Sequence, residues 1–182
     1  MNIAFCGIST STLRGHKMEQ DNYICKDQDG NLLLSIDDID EETLLGDPRF
    51  THCLAVVKVG NDYLMGKNKW RNRFEIFGGC TEKGENARDC IIRECGEELG
   101  LDTANITYLG AMRYLLKPDY FSKTERIELG GLYGIKLPDM SLDELSGKIR
   151  DKEEITELAL YSSIKDKEPI ALIDEKLLEY FE

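Results

Sequence analysis

The sequence lacks any apolar run of the roughly 18 to 20 residues that a membrane-spanning helix needs, so we expect no membrane partner. It is also poor in histidine, with His16 and His52 alone, which argues against a zinc site built on histidine. Residues 1–7 lack the basic start and long apolar segment of a signal peptide. These absences favour a cytoplasmic protein.

Metal-binding or redox pairs of cysteine are also missing. None of the six cysteines forms a Cys-x-x-Cys pair, although the residue type is well represented: Cys6, Cys25, Cys53, Cys80, Cys90 and Cys95. Free thiols that are buried or half-buried in a reducing cytoplasm explain this pattern best.

Positive charge is scarce, since 23 Lys and Arg residues face 35 Asp and Glu residues and the net charge is −12. A chain this acidic repels polyanions, so we expect no nucleic acid polymer as a partner. A small phosphate compound remains compatible if a divalent cation mediates the contact. The content of 41% hydrophobic and 32% charged residues is that of an ordinary soluble globular protein.

The first 50 residues are interpreted as an N-terminal β-hairpin extension. Residues 23–26 and 31–36 have strand character, and the intervening Asp-Gln-Asp-Gly sequence of residues 27–30 is a turn signal. This extension could act as a lid, a dimer arm or an added part of the sheet, so a homodimer is left open. Residues 51–182 are interpreted as the main domain.

The main domain alternates strand and helix patterns. Strands are expected near residues 52–59, 62–67, 74–77, 106–116, 128–137 and 158–162. A helix is expected over residues 87–99, with Asn86 as N-cap and Gly100 as the C-terminal stop. Shorter helices are expected over residues 141–148 and 174–181. The predicted fold class is α/β or α+β, with a mixed β-sheet.

The helix over residues 87–99 carries an unusual acidic cluster. Glu94, Glu97 and Glu98 are three and four residues apart, which places them on neighbouring positions of one helix face. Like charges at this spacing cost roughly 0.2–0.5 kcal/mol per pair, and Gly96 costs about 1 kcal/mol more. Either the carboxylates form a platform for a hard divalent cation, or they are a solvated stripe balanced by Arg93.

The wider sequence favours the cation platform. From Gly79 the chain reads Gly, five residues, Glu85, seven residues, Arg93-Glu94-Cys95, one residue, Glu97-Glu98, one residue, Gly100-Leu101. This run resembles the Nudix box, Gly-x5-Glu-x7-Arg-Glu-U-x-Glu-Glu-x-Gly-U, where U is apolar. One departure precedes it, because Phe77 stands where the family commonly has proline.

The resemblance implies a Nudix-type α/β/α sandwich with a loop–helix–loop catalytic motif. It implies that Mg²⁺, or Mn²⁺ as a substitute, is held by three glutamates and a loop carbonyl: Glu94, Glu97, Glu98 and Gly79. By the same motif, Arg93 orients the glutamates through salt bridges, one of them to Glu85. Residues 93, 94, 97 and 85 are therefore the expected catalytic group.

The resemblance further implies hydrolysis of a diphosphate linkage in a nucleoside diphosphate joined to another moiety. A nucleoside triphosphate, an ADP-ribose-type compound and a sugar nucleotide are all compatible small-molecule substrates. The general base varies within the family. Glu97 is the first choice, Glu154 and Glu157 are candidates outside the box, and Glu125 and Glu128 are weaker ones.

Contacts to the rest of the substrate are less constrained by the sequence. Aromatic residues that could stack on a base are Phe74, Tyr114, Tyr120 and Phe121. For Phe74 and Tyr114, packing in the core is the alternative interpretation. Arg126 could contact a phosphate, with a solvated loop position as its alternative.

Two other functions remain open on the sequence alone. A non-catalytic module could sense a nucleotide without turnover, but such modules usually lose box glutamates, and this chain keeps them. A prenyl-diphosphate isomerase of the same fold would use a cysteine and a glutamate, but those enzymes typically depart from the box.

Overall fold

The computed structural model describes residues 22–101, 105–120, 122–150 and 153–182. Its first element is the expected hairpin, β1 (Cys25–Lys26) and β2 (Leu32–Asp37). The Asp27 carboxylate closes the turn by accepting hydrogen bonds from the backbone of Asp29 and Asn31. The hairpin is therefore fixed by its own side chains.

The described residues form one mixed sheet. Its further strands are β3 (Phe50–Val59), β4 (Asp62–Asn68), β5 (Arg73–Glu75), β6 (Phe77–Cys80), β7 (Ile106–Leu116), β8 (Arg126–Leu137) and β9 (Ile155–Leu160). The order is β1-β2-β7-β8-β3-β4-β5, while β6 pairs with β3 and β9 with β4. β3 and β8 run parallel, and the other strand pairs are antiparallel. Because β2 pairs with β7, the hairpin continues the main sheet.

Helices cover the sheet on two sides. They are α1 (Glu41–Leu45), α2 (Ala87–Leu99), α3 (Leu142–Ser146), α4 (Tyr161–Ile164) and α5 (Leu172–Leu177), and a 3-10 helix, Leu178–Tyr180, follows. Within the described ranges, none of these helices is long and apolar enough to cross a membrane.

Two apolar clusters separate these layers. One lies between the sheet and α1, α2 and α3, and it includes Leu44, Ile91 and Leu145. The other lies against the opposite face with α4 and α5, and it includes Ile164 and Leu177. The predicted α/β/α sandwich with a mixed sheet is therefore confirmed.

Helix α2 begins and ends where the sequence predicts. The Asn86 side chain accepts a hydrogen bond from the Asp89 backbone at 2.9 Å, which satisfies a free N–H of the first turn. Gly100 ends the helix with φ of 63°, a left-handed conformation that glycine adopts without strain. The helix is therefore fixed by local signals.

Three element boundaries differ from the sequence-based expectations. The strand expected over residues 74–77 is divided at Ile76, whose N–H bonds to the Asp174 side chain. The last strand, β9, begins three residues earlier than expected because it follows β4 in register. The C-terminal helix begins at Leu172 and ends in a 3-10 turn. The first two differences arise from tertiary contacts.

The described cysteines, Cys25, Cys53, Cys80, Cys90 and Cys95, are all free thiols, and they are buried or half-buried as predicted except for Cys80, which is exposed. Cys6 lies outside the described residues.

Candidate active site

A pair of glycines within β6 lets this strand lie close to both β3 and helix α2. Gly78 has φ of 133°, and a Cβ atom there would lie 2.1 Å from the Cys53 carbonyl oxygen. That position requires glycine, because the backbone of β3 leaves no room for a side chain. A Cβ atom on Gly79 would lie 2.5 Å from Oε1 of Glu94, so a side chain there would displace that carboxylate. The helix carboxylates therefore lie directly against β6.

Arg93 braces the loop against the helix. Its Nε and Nη2 atoms donate to the two carboxylate oxygens of Glu85, each at 3.0 Å. Nη1 donates to Glu94 at 2.8 Å and to Glu97 at 3.3 Å, and Nη2 also reaches the Cys80 carbonyl at 3.0 Å. The guanidinium lowers the pKa of Glu85 by direct hydrogen bonding. Arg93 therefore fixes the orientation of three carboxylates and one carbonyl.

Replacing Arg93 by lysine should reduce kcat/KM by about 10–100-fold, the usual effect of losing a group that orients metal ligands. An ammonium group cannot make the paired contact to Glu85 and still reach Glu94. The matched control is Arg88→Lys on the same helix, where Arg88 pairs with Glu41. Steady-state kinetics should separate the two variants, and equal rates for both would contradict the bracing role.

Glu98 is a buried carboxyl group that forms no salt bridge with any described residue. Its side chain is 4% exposed, and Oε2 accepts a hydrogen bond from the Gly78 N–H at 2.7 Å. Burial, reinforced by the nearby charges of Glu94 and Glu154, raises the pKa of Glu98 to about 9. Burial also raises the pKa of Glu94. Glu94 and Glu98 are therefore two desolvated carboxyl groups close to the glycine pair of β6. Arg93 supplies the guanidinium group next to Glu94.

Glu97 has a different environment from Glu94 and Glu98. Its side chain is 53% exposed, and its contact is with Arg93. Across the described ranges, no three His, Cys, Asp or Glu side chains are already gathered as a metal-binding group. The donor chemistry nevertheless fits a hard cation, because Glu94, Glu98 and the Gly79 backbone offer oxygen atoms close together in a desolvated place.

The two candidate bases outside the motif lie in different surroundings. Glu154 is half-buried, it accepts a hydrogen bond from Asn68 at 3.1 Å, and its charge raises the pKa of Glu94 and Glu98. Glu157 is exposed on β9, and its closest cation is Lys67 at 3.9 Å. The structure therefore brings Glu154, but not Glu157, to the acidic helix.

A cavity of about 220 Å³ opens on the other side of Gly78. Five separate parts of the chain supply its walls: the hairpin (Asp27, Gln28, Asn31), β3 (His52, Leu54), the β4–β6 region (Arg71, Arg73, Glu75, Ile76, Gly78), β7 (Tyr114, Leu116) and the start of α5 (Ala171, Ile173, Asp174). Sequence reasoning missed most of this set. The Arg-x-Arg-x-Glu alternation of residues 71–75 was the one local signal for it.

Asp174 is the unusual acid of this cavity. One of its oxygens, Oδ2, accepts the Ile76 N–H at 3.0 Å. Loss of solvation, together with the charge of Glu75, raises the pKa of Asp174 to about 7, while the N–H bond, Arg71 and Arg73 act in the opposite direction. Asp174 is therefore partly protonated near neutral pH.

The Asp174→Asn variant should lose a pH dependence of stability that the native protein has. The raised pKa means that the folded state favours the protonated acid. This contribution is complete below the ordinary pKa of 3.8 and is lost as the pH rises through about 7. Relative to the variant, the native free energy of unfolding should fall by up to about 4 kcal/mol between pH 4 and pH 8. Urea unfolding at both pH values measures it, and parallel curves for the two proteins would contradict it.

The predicted substrate contacts have mixed outcomes. Phe74 is 1% exposed in the core, which agrees with the alternative interpretation of this residue as core packing. Tyr120 is 88% exposed on the β7–β8 loop and does not line the cavity. Tyr114 does line it, with its ring centroid 5.2 Å from that of His52. Phe121 lies outside the described residues.

Arg126 is held at the end of β8 by two acids. Nε donates to Glu128 at 2.6 Å, and Nη2 donates to Asp119 at 2.8 Å. Its Nη1 atom is buried without a hydrogen-bond partner, which is unique in the described part of the chain. Glu128 is occupied by Arg126 and by the Thr51 hydroxyl, so it is a poor candidate for a base.

The fold is an α/β/α sandwich, and its acidic helix α2 packs against the pair of glycines in β6. This loop–helix–loop arrangement defines a class of proteins. A sequence description of the NUDIX domain matches residues 48–179. The chain therefore belongs to the Nudix family.

Individual relatives agree with this assignment. The chain is 36% identical over 67 residues to the NAD-capped RNA hydrolase NudC of Vibrio parahaemolyticus serotype O3:K6 (strain RIMD 2210633), covering 35% of this chain and 26% of that protein. It is 31% identical over 93 residues to the protein of the same name from Vibrio atlanticus (strain LGP32), covering 40% and 35%. The chain thus spans only about a quarter to a third of these curated relatives.

Solved structures show the same fold. A point mutant of the Bacillus subtilis pyrophosphohydrolase BsRppH superposes with a TM-score of 0.58 at 19% identity, covering 82% of this chain and 85% of that one. The NUDIX domain of Shewanella oneidensis NrtR, solved with ADP ribose, gives a TM-score of 0.55 at 13% identity, covering 78% and 96%. At these identities the likeness concerns the fold alone.

Proposed function

We propose that the protein hydrolyses a diphosphate linkage in a nucleoside diphosphate joined to another group. The observation that carries this proposal is the position of Gly78, which contacts both the acidic helix and the cavity. Its N–H holds the Glu98 carboxylate, and its other side lines the cavity. A ligand with its phosphates at the carboxylates would therefore extend directly into the cavity.

The family generally uses divalent metal ions, and Mg²⁺ or Mn²⁺ fits the donors of this site. Glu94, Glu98 and the more exposed Glu97 would hold it, with the Gly79 carbonyl as a further oxygen donor. A bound divalent ion neutralises phosphate oxygens and lowers the pKa of water. Arg93 and Glu85 position these carboxylates before any ligand arrives, which reduces the reorganisation needed for catalysis.

The remaining chemistry needs a proton acceptor. We assign this role to Glu154 in preference to Glu97, since Glu97 is exposed and engaged by Arg93. Water attacks phosphorus, its proton passes to Glu154, and the P–O bond to the leaving phosphate breaks. Glu154 is half-buried and accepts a hydrogen bond from Asn68, so it is held in position beside the acidic helix, as a general base must be.

The unpartnered Nη1 atom of Arg126 supports a contact with a substrate anion. A buried guanidinium nitrogen without an acceptor is costly, and a phosphate oxygen would satisfy it. The names of the curated relatives add NAD-type ends to the candidate substrates. Because the chain carries a net charge of −12, we favour a small nucleotide over a nucleic acid polymer.

The test is a substrate panel with purified protein and Mg²⁺ or Mn²⁺, with products resolved by chromatography. It contains nucleoside triphosphates, ADP-ribose, sugar nucleotides, NADH, dinucleoside polyphosphates, a prenyl diphosphate and an NAD-capped oligoribonucleotide. We expect release of a nucleoside monophosphate from at least one member, lost with EDTA and in Glu97→Gln.

Other outcomes would replace the proposal. Tight binding of a nucleotide by calorimetry with no product from any member would make the protein a ligand sensor. Rearrangement of the prenyl diphosphate without phosphate release would make it an isomerase. Cleavage confined to the capped oligonucleotide would overturn the preference for a small substrate.

A further inference from the structure

We propose that Asp174 is the specificity residue of the cavity and that it reads an amino group on the nucleobase of the substrate. This inference rests on the proposed function for the position of the phosphates. The cavity itself supplies the remaining argument, through its size, its walls and one unsatisfied acceptor.

The size of the cavity suits one ring system. Its volume of about 220 Å³ is below the roughly 300–1,000 Å³ of clefts that enclose whole drug-sized ligands. A nucleobase fits such a space, whereas a second nucleoside does not. Leu54, Tyr114, Leu116 and Ile173 provide the apolar surface that a flat ring needs.

Most polar groups around this space are already engaged. Glu75 is 7% exposed, and its two oxygens accept hydrogen bonds from Arg71 at 2.8 Å and Arg73 at 2.9 Å. The Asn31 side chain accepts from the Lys117 N–H at 2.9 Å and donates to Asp27 at 2.8 Å. These groups shape the wall, but they have little capacity left for a ligand.

Asp174 keeps an acceptor that is not engaged by these contacts. Oδ2 is occupied by the Ile76 N–H, while Oδ1 has no hydrogen-bond partner in the described part of the chain. A carboxylate oxygen only accepts hydrogen bonds, so it selects an N–H donor on the ring. Arg71 pairs with Glu75, and Arg73 pairs with Glu75 and Asp29, so two carboxylates balance the two guanidinium groups and the cavity does not call for an anionic ring. An amino-bearing neutral base fits this pattern.

The N-terminal hairpin holds this arrangement in place. Gln28 donates to the Ile170 carbonyl at 2.8 Å, next to the start of the helix that carries Asp174. Asn31 ties the same turn to the end of β7 through Lys117. The hairpin is thus a wall of the recognition site.

The test is a comparison of matched substrates at pH 8, using whichever phosphate linkage the panel identifies. Each amino-bearing purine is paired with its analogue lacking the amino group: guanosine with inosine, and adenosine with purine riboside. For the native protein we expect kcat/KM to fall by about 10–100-fold in one pair, the usual effect of one hydrogen bond to a charged group.

Asp174→Asn should abolish or reverse that preference, because its amide nitrogen would present a donor where the carboxylate presents an acceptor. The control is Glu179→Gln, which removes the same charge from the exposed C-terminal turn and should keep the native preference. Thermal melting confirms that both variants are folded. Equal rates for all four bases, or an unchanged preference in Asp174→Asn, would overturn the inference and leave the proposed hydrolysis intact.

Failure of the proposed function would give a different result. If the native protein cleaves nothing, calorimetry with the nucleoside 5′-monophosphates, without divalent cation, still tests the cavity. Binding that requires the amino group in the native protein but not in Asp174→Asn would support the inference. Binding without that dependence, or none at all, would overturn it.

Discussion

Glu98→Gln should lose activity and gain stability in the same experiment. The variant keeps an acceptor for the Gly78 N–H but replaces an acid whose side chain is 4% exposed and lies near other acids. We expect kcat/KM to fall by about 10²–10³-fold, as when one preorganised charge-stabilising group is removed. With EDTA present, we expect a melting temperature at or above that of the native protein, because at neutral pH the buried acid must take up a proton on folding and the amide need not.

The control for Glu98→Gln is Glu82→Gln, in the loop before the helix. Glu82 is 74% exposed and lies 4.0 Å from Arg93, so it shares the neighbourhood but not the burial. Its rate and melting temperature should match those of the native protein. A destabilised, inactive Glu98→Gln would instead mean that the carboxylate has a structural role. Full activity in that variant would exclude Glu98 from the cation site.

The loss of activity and the gain of stability expected for Glu98→Gln show what the sequence could and could not predict. Spacing alone predicted that Glu94, Glu97 and Glu98 lie on adjoining positions of helix α2, and local caps predicted where that helix begins and ends. Spacing did not predict that Glu98 would be buried while Glu97 stays exposed. That difference depends on β6, which packs against one side of the helix at Gly78.

The cavity was beyond sequence reasoning for a related reason. Asp27, Arg71, Tyr114 and Asp174 are far apart in the chain, and only the sheet order brings them together. Phe74 illustrates the converse case. Phe74 was one of the aromatic residues that could stack on a base, yet its ring lies in the core, with the Lys67 ammonium group over it. A single sequence does not determine which face of a short strand meets solvent.

The choice between Glu154 and Glu157 was likewise left open by the sequence. The two residues are three apart: Glu154 lies just before β9, and Glu157 lies near the start of that strand. Glu157 opposes Lys67 in the strand register, whereas Glu154 accepts a hydrogen bond from Asn68, which is 1% exposed and also holds the β4–β5 turn. Glu154 is thus fixed in place next to the acidic helix, as a positioned base must be.

Glu154→Gln should lower kcat by about 10²–10⁴-fold, the range for removal of a general base, while Glu157→Gln should change it by less than about twofold. The two variants remove the same charge from one segment, so loss of net charge cannot explain a difference. KM should change little for Glu154→Gln, because the base acts on water and not on the bound nucleotide. The pH–rate profile gives a second measure, since its shape should change in Glu154→Gln and stay native in Glu157→Gln. If Glu154→Gln keeps the native rate and profile while Glu97→Gln loses both, the base is Glu97, and Glu154 only shapes the field around Glu94 and Glu98.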